Sequence, residues 1–89
     1  MCGIVGIRDA GGVSFSLYFA LYALQHRGQE SAGISTFDGT RLYEQKGQGL
    51  VAEVFNSEIL NRLEGPVGIG HVRYPTTGAN RDRKSTRLN

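Results

Sequence analysis

The residue whose type and position most directly indicate chemistry is Cys2, which follows the initiator methionine. A side chain this small permits removal of Met1, and a thiol and a free α-amine would then belong to one residue. The α-amine has a pKa of about 7.7–8.0, so it can act as general base for the thiol nucleophile. Gly3 lets a substrate approach the backbone closely. The alternative interpretation of Cys2 is a small apolar residue at the start of a buried strand.

A second group of candidates lies in the segment 68–78, GIGHVRYPTTG. Strand alternation places His71 and Arg73 on one face and Val72 on the other. A guanidinium at the end of a strand suits a carboxylate, which it can bind through two parallel hydrogen bonds. The alternative is a surface strand on which Arg73 is only solvated.

A third, polar cluster occupies the segment 25–33, QHRGQESAG, directly after an amphipathic stretch. His26 and Arg27 would offset the dipole at a helix C-terminus, which stabilises by about 0.3–1 kcal/mol. Taken alone, the cluster favours a solvated loop between a helix and a strand. No pair of carboxylates is spaced for acid–base catalysis, and no cysteine–histidine set is spaced for a metal, so the sequence predicts no metal site.

Hydrophobic periodicity predicts the elements that must position these residues. In chain order they are a strand at 2–7, a helix at 14–26, strands at 31–37 and 40–46, helices at 50–55 and 57–63, and a strand at 67–74. Asp38-Gly39 predicts a type I′ hairpin turn, and the segment 46–49 predicts a break. The predicted caps are Ser14 or Ser16 and Gly28 for the first helix, and Asn56 or Ser57 for the last. This order favours helices packed on a sheet.

The composition fits one small domain of 89 residues with a modest core. No apolar run approaches the ~18 residues that cross a bilayer, so no membrane partner is expected. A single cysteine excludes an internal disulfide and favours a reducing, cytoplasmic setting. The net charge of +2 arises from residues 81–89, while residues 1–80 carry a slight negative charge, so no nucleic-acid partner is expected. A nucleic-acid-binding module that uses the basic tail is the alternative from another class.

Four blocks taken together, MCGIVGI, ALQHRGQESAGI, KGQGLVAEVF and GIGHVRYPTTG, resemble the N-terminal glutaminase domain of the amidophosphoribosyltransferases. This is a family of the class II glutamine amidotransferases, whose nucleophile is an N-terminal cysteine. The resemblance implies an α+β fold, the four-layer αββα sandwich of N-terminal-nucleophile hydrolases, present here only in its N-terminal portion. The alternatives are another amidotransferase of this class, similar to glucosamine-6-phosphate synthase, or an inactive fragment.

The resemblance also implies a role for each matching residue. Cys2 attacks the side-chain amide of glutamine, giving a γ-glutamyl thioester and ammonia. Arg73 holds the α-carboxylate of glutamine, and Thr76 lies beside it in the same pocket. Arg27 and Gly28 belong to a loop packed next to the nucleophile. The ammonia then passes to phosphoribosyl diphosphate, giving 5-phosphoribosylamine in the first step of de novo purine biosynthesis, in a cytoplasmic homo-oligomer.

Parts of the family pattern lie outside this sequence. These are an Asn-Gly oxyanion pair, an Asp that binds the α-amine of glutamine, and the phosphoribosyltransferase domain, for which the resemblance implies magnesium. No cofactor is therefore expected in this chain itself. These residues do not indicate whether the enzyme contains an iron–sulfur cluster. Residues 1–80 are predicted to form the N-terminal part of the glutaminase domain. The tail 81–89 resembles a translated sequencing adapter and is predicted to be non-native.

Overall fold

The computed structural model describes residues 2–25 and 30–74. They form β1 Cys2–Arg8, α1 Ser14–Leu24, β2 Ser31–Phe37, β3 Leu42–Gln48, α2 Val51–Val54, α3 Ser57–Arg62 and β4 Val67–Arg73. Each predicted element is present, with its ends shifted by at most two residues. Within this part of the chain, no helix has the length and apolarity needed to cross a membrane.

The four strands form one antiparallel sheet in the order β1-β4-β2-β3. The last strand in the sequence is therefore inserted between the first and the second. On one side Cys2 pairs with Arg73 and Arg8 with Val67, and on the other side Ser31 pairs with Arg73 and Phe37 with Val67. The two ends of the described chain meet at one end of the sheet.

Alternation along the strands gives the sheet two different faces. The covered face packs against the helices, and the core there contains Val13, Leu17, Leu21, Ala32, Ile34, Val51, Val54, Phe55, Leu60, Leu63 and Val72. We call the other the open face. Its members are Cys2, Ile4, Gly6 and Arg8 of β1, Val67, Ile69, His71 and Arg73 of β4, Ser31, Gly33, Ser35 and Phe37 of β2, and Leu42, Glu44, Lys46 and Gln48 of β3.

The hairpin between β2 and β3 is confirmed, but the predicted type I′ turn is wrong. Phe37 pairs with Leu42, so the connection is the four-residue loop 38–41. A type I′ turn needs positive φ at both central residues, and of Asp38 and Gly39 only Gly39 has it, at 101°. The strand after this longer loop consequently runs through 46–48, where a break was predicted.

The helix caps match the predictions only in part. Val13 is the N-cap of α1, and the Ser14 hydroxyl instead donates to the carbonyl of Leu60 at 2.7 Å, which ties α1 to α3. The prediction of a serine cap was therefore wrong. Asn56 is confirmed as the N-cap of α3, because its Oδ1 accepts from the N–H of Ile59 at 2.8 Å.

Candidate functional site

Cys2 and Arg73 lie directly opposite each other on adjacent strands. Both belong to the open face, and both are exposed. Opposed residues of an antiparallel pair have Cα atoms roughly 4.5–5.5 Å apart. The side chains of Cys2 and Arg73 therefore start from neighbouring points on the same face. The predicted nucleophile and the predicted carboxylate-binding group thus share one short stretch of surface.

Two rows of residues cross the sheet at this end of the open face. The first row is Cys2, Arg73, Ser31 and Gln48, and the second is Ile4, His71, Gly33 and Lys46. Two of these eight residues are permanently cationic and none is acidic. The local charge therefore favours an anionic group, such as the carboxylate of an amino acid.

Hydrogen bonds anchor the residues on either side of the segment 26–29. Before the segment, the Tyr74 hydroxyl donates to the carbonyl of Leu24, and Gln25 Oε1 accepts from the N–H of Val51 at 3.1 Å. After it, the N–H of Glu30 donates to the carbonyl of Arg73 at 2.7 Å. The end of β4 that carries Arg73 is thereby joined to the end of α1 and the start of β2.

A cavity of about 220 Å³ lies next to the first row, on the side of Arg73 away from Cys2. It is lined by Ser31, Ala32, Lys46, Gly47, Gln48 and His71. A larger cavity, of about 360 Å³, lies between the N-terminal end of α1 and α3. Neither cavity is lined by Cys2 or Arg73. We place the candidate site at the first row together with the smaller cavity, because Ser31 and Gln48 belong to both.

Of the predicted site residues, the structure brings Cys2 and Arg73 together. Thr76, Arg27 and Gly28 lie outside the described residues. Sequence analysis assigned no role to Ser31, Lys46 or Gln48, which share the site through pairing across the sheet. Their only signal was alternation along β2 and β3, and alternation alone does not reveal which strands are neighbours.

The chain is similar to curated amidophosphoribosyltransferases over most of its length, although no family model matches it. It is 60% identical over 87 residues to the enzyme of Methanothermobacter thermautotrophicus, covering 94% of this chain and 18% of that protein. It is 52% identical over 80 residues to the enzyme of Escherichia coli, covering 89% and 16%. The chain thus spans less than a fifth of the curated relatives it matches.

Two solved structures are similar to it in fold. One is described as the allosteric regulatory enzyme of purine biosynthesis, with a TM-score of 0.77 and 44% identity over 89% of this chain and 17% of that one. The other is glutamine phosphoribosylpyrophosphate amidotransferase from B. subtilis complexed with ADP and GMP, with a TM-score of 0.66 and 47% identity over the same shares. The predicted α+β fold, an incomplete N-terminal-nucleophile hydrolase fold, is confirmed.

Proposed function

The chain belongs to the amidophosphoribosyltransferase family, and on that premise we propose that it contributes the nucleophile and a carboxylate-binding arginine to a glutaminase site. The observation that carries the proposal is the pairing of Cys2 with Arg73 on the open face of the sheet. Glutamine has a carboxylate at one end and the reactive amide at the other. A cation beside a thiol can therefore hold the first end while the thiol attacks the second.

In the proposed reaction, removal of Met1 frees the α-amine of Cys2, which takes the thiol proton through a bridging water. The thiolate sulfur attacks the amide carbon of glutamine, and the carbonyl electron pair moves onto oxygen. When this intermediate collapses, the C–N bond breaks, and the amine proton leaves with the nitrogen as ammonia. Water then hydrolyses the γ-glutamyl thioester, giving glutamate and restoring the thiol.

Arg73 is proposed to bind the α-carboxylate of glutamine, with Thr76 beside it. Arg27 and Gly28 are proposed to belong to the loop next to Cys2, in keeping with the anchoring of residues 25 and 30 on either side of that loop. The amide oxyanion needs hydrogen-bond donors, and one such donor typically contributes ~10²–10³ in rate. We assign these donors to the part of the enzyme beyond this chain.

The ammonia is proposed to react with phosphoribosyl diphosphate, giving 5-phosphoribosylamine in the cytoplasm, in a homo-oligomeric enzyme. The described residues include no group of three or more His, Cys, Asp or Glu side chains arranged for a metal. These residues therefore do not fit a magnesium site. Magnesium, where the transferase reaction uses it, is assigned to the phosphoribosyltransferase part.

The test uses a chimaera in which residues 1–74 replace the matching segment of the Methanothermobacter enzyme. Cys2→Ala and Cys2→Ser should abolish glutamine-dependent formation of phosphoribosylamine, because a serine hydroxyl stays protonated near pH 7, whereas a thiol ionises readily. The reaction with free ammonia should survive in both variants, and it is the internal control for folding. Mass spectrometry of the active chimaera should show Met1 absent.

Normal glutamine hydrolysis by Cys2→Ala would overturn the assignment of the nucleophile. A retained Met1 in fully active enzyme would overturn the role of the α-amine as base.

A further inference from the structure

The imidazole of His71 lies across Gly33 of the neighbouring strand. The two residues pair across β4 and β2. A Cβ at position 33 would collide with His71 Nε2. It would also lie 3.0 Å from His71 Cε1 and 3.1 Å from Lys46 Cβ. Gly33 is buried although it belongs to the open face, because the imidazole covers it. Because Gly33 has no side chain, the His71 ring packs directly against its backbone. We call this position the seat of the ring.

This seat fixes the direction in which His71 points. The ring leans from β4 toward β2 and β3, away from Ile4 on the strand of Cys2. It forms one wall of the 220 Å³ cavity beside the first row. The ring consequently occupies the space over β2 into which a long side chain at a neighbouring position would otherwise fold.

Arg73 is that neighbour. It follows His71 by two residues on the same face of β4, so the two Cα atoms are about 6.6–6.8 Å apart. An exposed arginine samples many rotamers, and binding of a carboxylate by both guanidinium nitrogens requires only a few of them. Lys46 stands beyond Gly33 in the second row and repels a guanidinium that approaches from that side.

We propose that His71, seated on Gly33, is a positioning residue that keeps the Arg73 guanidinium out of the space over β2 and available to a substrate carboxylate beside Cys2. This inference rests on the proposed function and deepens it, because it assigns recognition of the carboxylate to three residues. Arg73 binds the carboxylate, His71 restricts Arg73, and Gly33 makes room for His71.

The test measures KM and kcat for glutamine in the chimaera described above. A misplacement of about 1 Å can cost up to ~10²-fold, so His71→Ala should raise KM for glutamine by roughly 10- to 100-fold, with a much smaller change in kcat. Glutamine amide, which lacks the carboxylate, should be used equally well by wild type and variant. His71→Phe, which restores a flat ring over Gly33, should recover most of the loss.

Gly33→Ala should reproduce the defect of His71→Ala, because the added methyl displaces the ring. The two changes act on one contact, so the double variant should be no worse than either single variant. Gly6→Ala is the matched control: it also lies on the open face, where the nearest atom to its Cβ is the Gly68 carbonyl oxygen at 3.9 Å. It should leave KM for glutamine unchanged.

An unchanged KM in His71→Ala would overturn the inference, as would an equal loss with glutamine and glutamine amide, which would mean that His71 only supports the strand. Either result in an enzyme that still needs Cys2 leaves the proposed function standing. If Cys2→Ala hydrolyses glutamine in the same series, the proposed function itself fails.

Discussion

The position of Arg73 opposite Cys2 makes a substitution that keeps the charge informative. Arg73→Lys replaces a planar fork with a single ammonium, which cannot form two parallel bonds to a carboxylate. We expect a loss of roughly 2–4 kcal/mol in kcat/KM for glutamine in the chimaera, the range of charge-assisted paired contacts.

Arg8→Lys is the control for this prediction, because Arg8 lies on the open face at the opposite end of β1. It should leave the kinetics unchanged. Glutamine amide should be insensitive to Arg73→Lys. If both substrates lose equally, Arg73 supports the strand and does not bind the carboxylate.

For single residues, the sequence predicted which side chains carry chemistry and which face of a strand they occupy. It did not predict which residues lie beside them on neighbouring strands. The thiol of Cys2 and the guanidinium of Arg73 were found from position and alternation. That they face each other depends on β4 lying between β1 and β2, which no local pattern specifies. The seat of His71 on Gly33 was missed for the same reason, since it joins two strands that are not consecutive in the chain.

Among the elements, β4 depends on a glycine that leaves room for α1. A Cβ at Gly68 would lie 2.8 Å from Leu17 Cδ1 and 2.9 Å from both the Ser35 carbonyl oxygen and Val13 Cγ2. Because the carbonyl is backbone and cannot turn aside, Gly68→Ala should lower the free energy of unfolding by about 1–3 kcal/mol. Urea denaturation of the chain measures this.

Gly6→Ala on the neighbouring strand is the control, because nothing crowds its Cβ. It should be neutral or slightly stabilising, since alanine restricts the unfolded chain. Equal effects of the two substitutions would contradict the proposed crowding between β4 and α1.

The loop between β2 and β3 should make stability depend on pH. Hydrogen bonds from the backbone N–H groups of Arg41 and Thr40 lower the pKa of Asp38 below its usual value. A carboxyl group whose pKa is lower in the folded state stabilises above its unfolded pKa of about 3.9, and this contribution is lost as the pH falls through the folded value. The stability difference between wild type and Asp38→Asn should therefore shrink below about pH 4.

Urea denaturation between pH 2 and 7 checks this. Tyr43→Phe, which removes only the hydroxyl that donates to Asp38 Oδ2, should keep most of the pH dependence, since the backbone donors contribute more. A stability difference between wild type and Asp38→Asn that stays constant from pH 2 to 7 would contradict the role of Asp38. The dipeptide Asp38-Gly39 predicted a hairpin correctly, but these backbone bonds select the longer loop, and the dipeptide alone does not encode them.

For the molecule as a whole, the open face exposes apolar side chains that extend from the second row to the end remote from Cys2. Ile4 is 72% exposed, Leu42 69% and Ile69 54%, with Val67 and Phe37 also exposed at the end remote from Cys2. A second apolar stripe, which includes Phe19 at 64% exposure, lies on the outer side of α1. Contiguous apolar surface of this kind promotes association in water.

We expect the polypeptide 2–74 to associate in a concentration-dependent manner through the open face. Ile69→Lys at the middle of this face should shift the distribution toward monomer in analytical ultracentrifugation, because a buried lysine in the contact is costly. Phe19→Lys on α1 is the matched variant and should have little effect. If Phe19→Lys shifts the distribution toward monomer and Ile69→Lys does not, the contact lies on α1.

The position of β1 at the edge of the sheet has a consequence during translation. Among the described strands its one neighbour is β4, and most of the described sequence lies between the two. A β-hairpin such as β2–β3 forms in about 1–10 μs, whereas ribosomes add only about 5–20 residues per second. β1 therefore precedes its partner strand β4 by roughly 4–14 s of synthesis. During that interval β1 lacks its partner strand, which favours the removal of Met1 that the proposed mechanism requires.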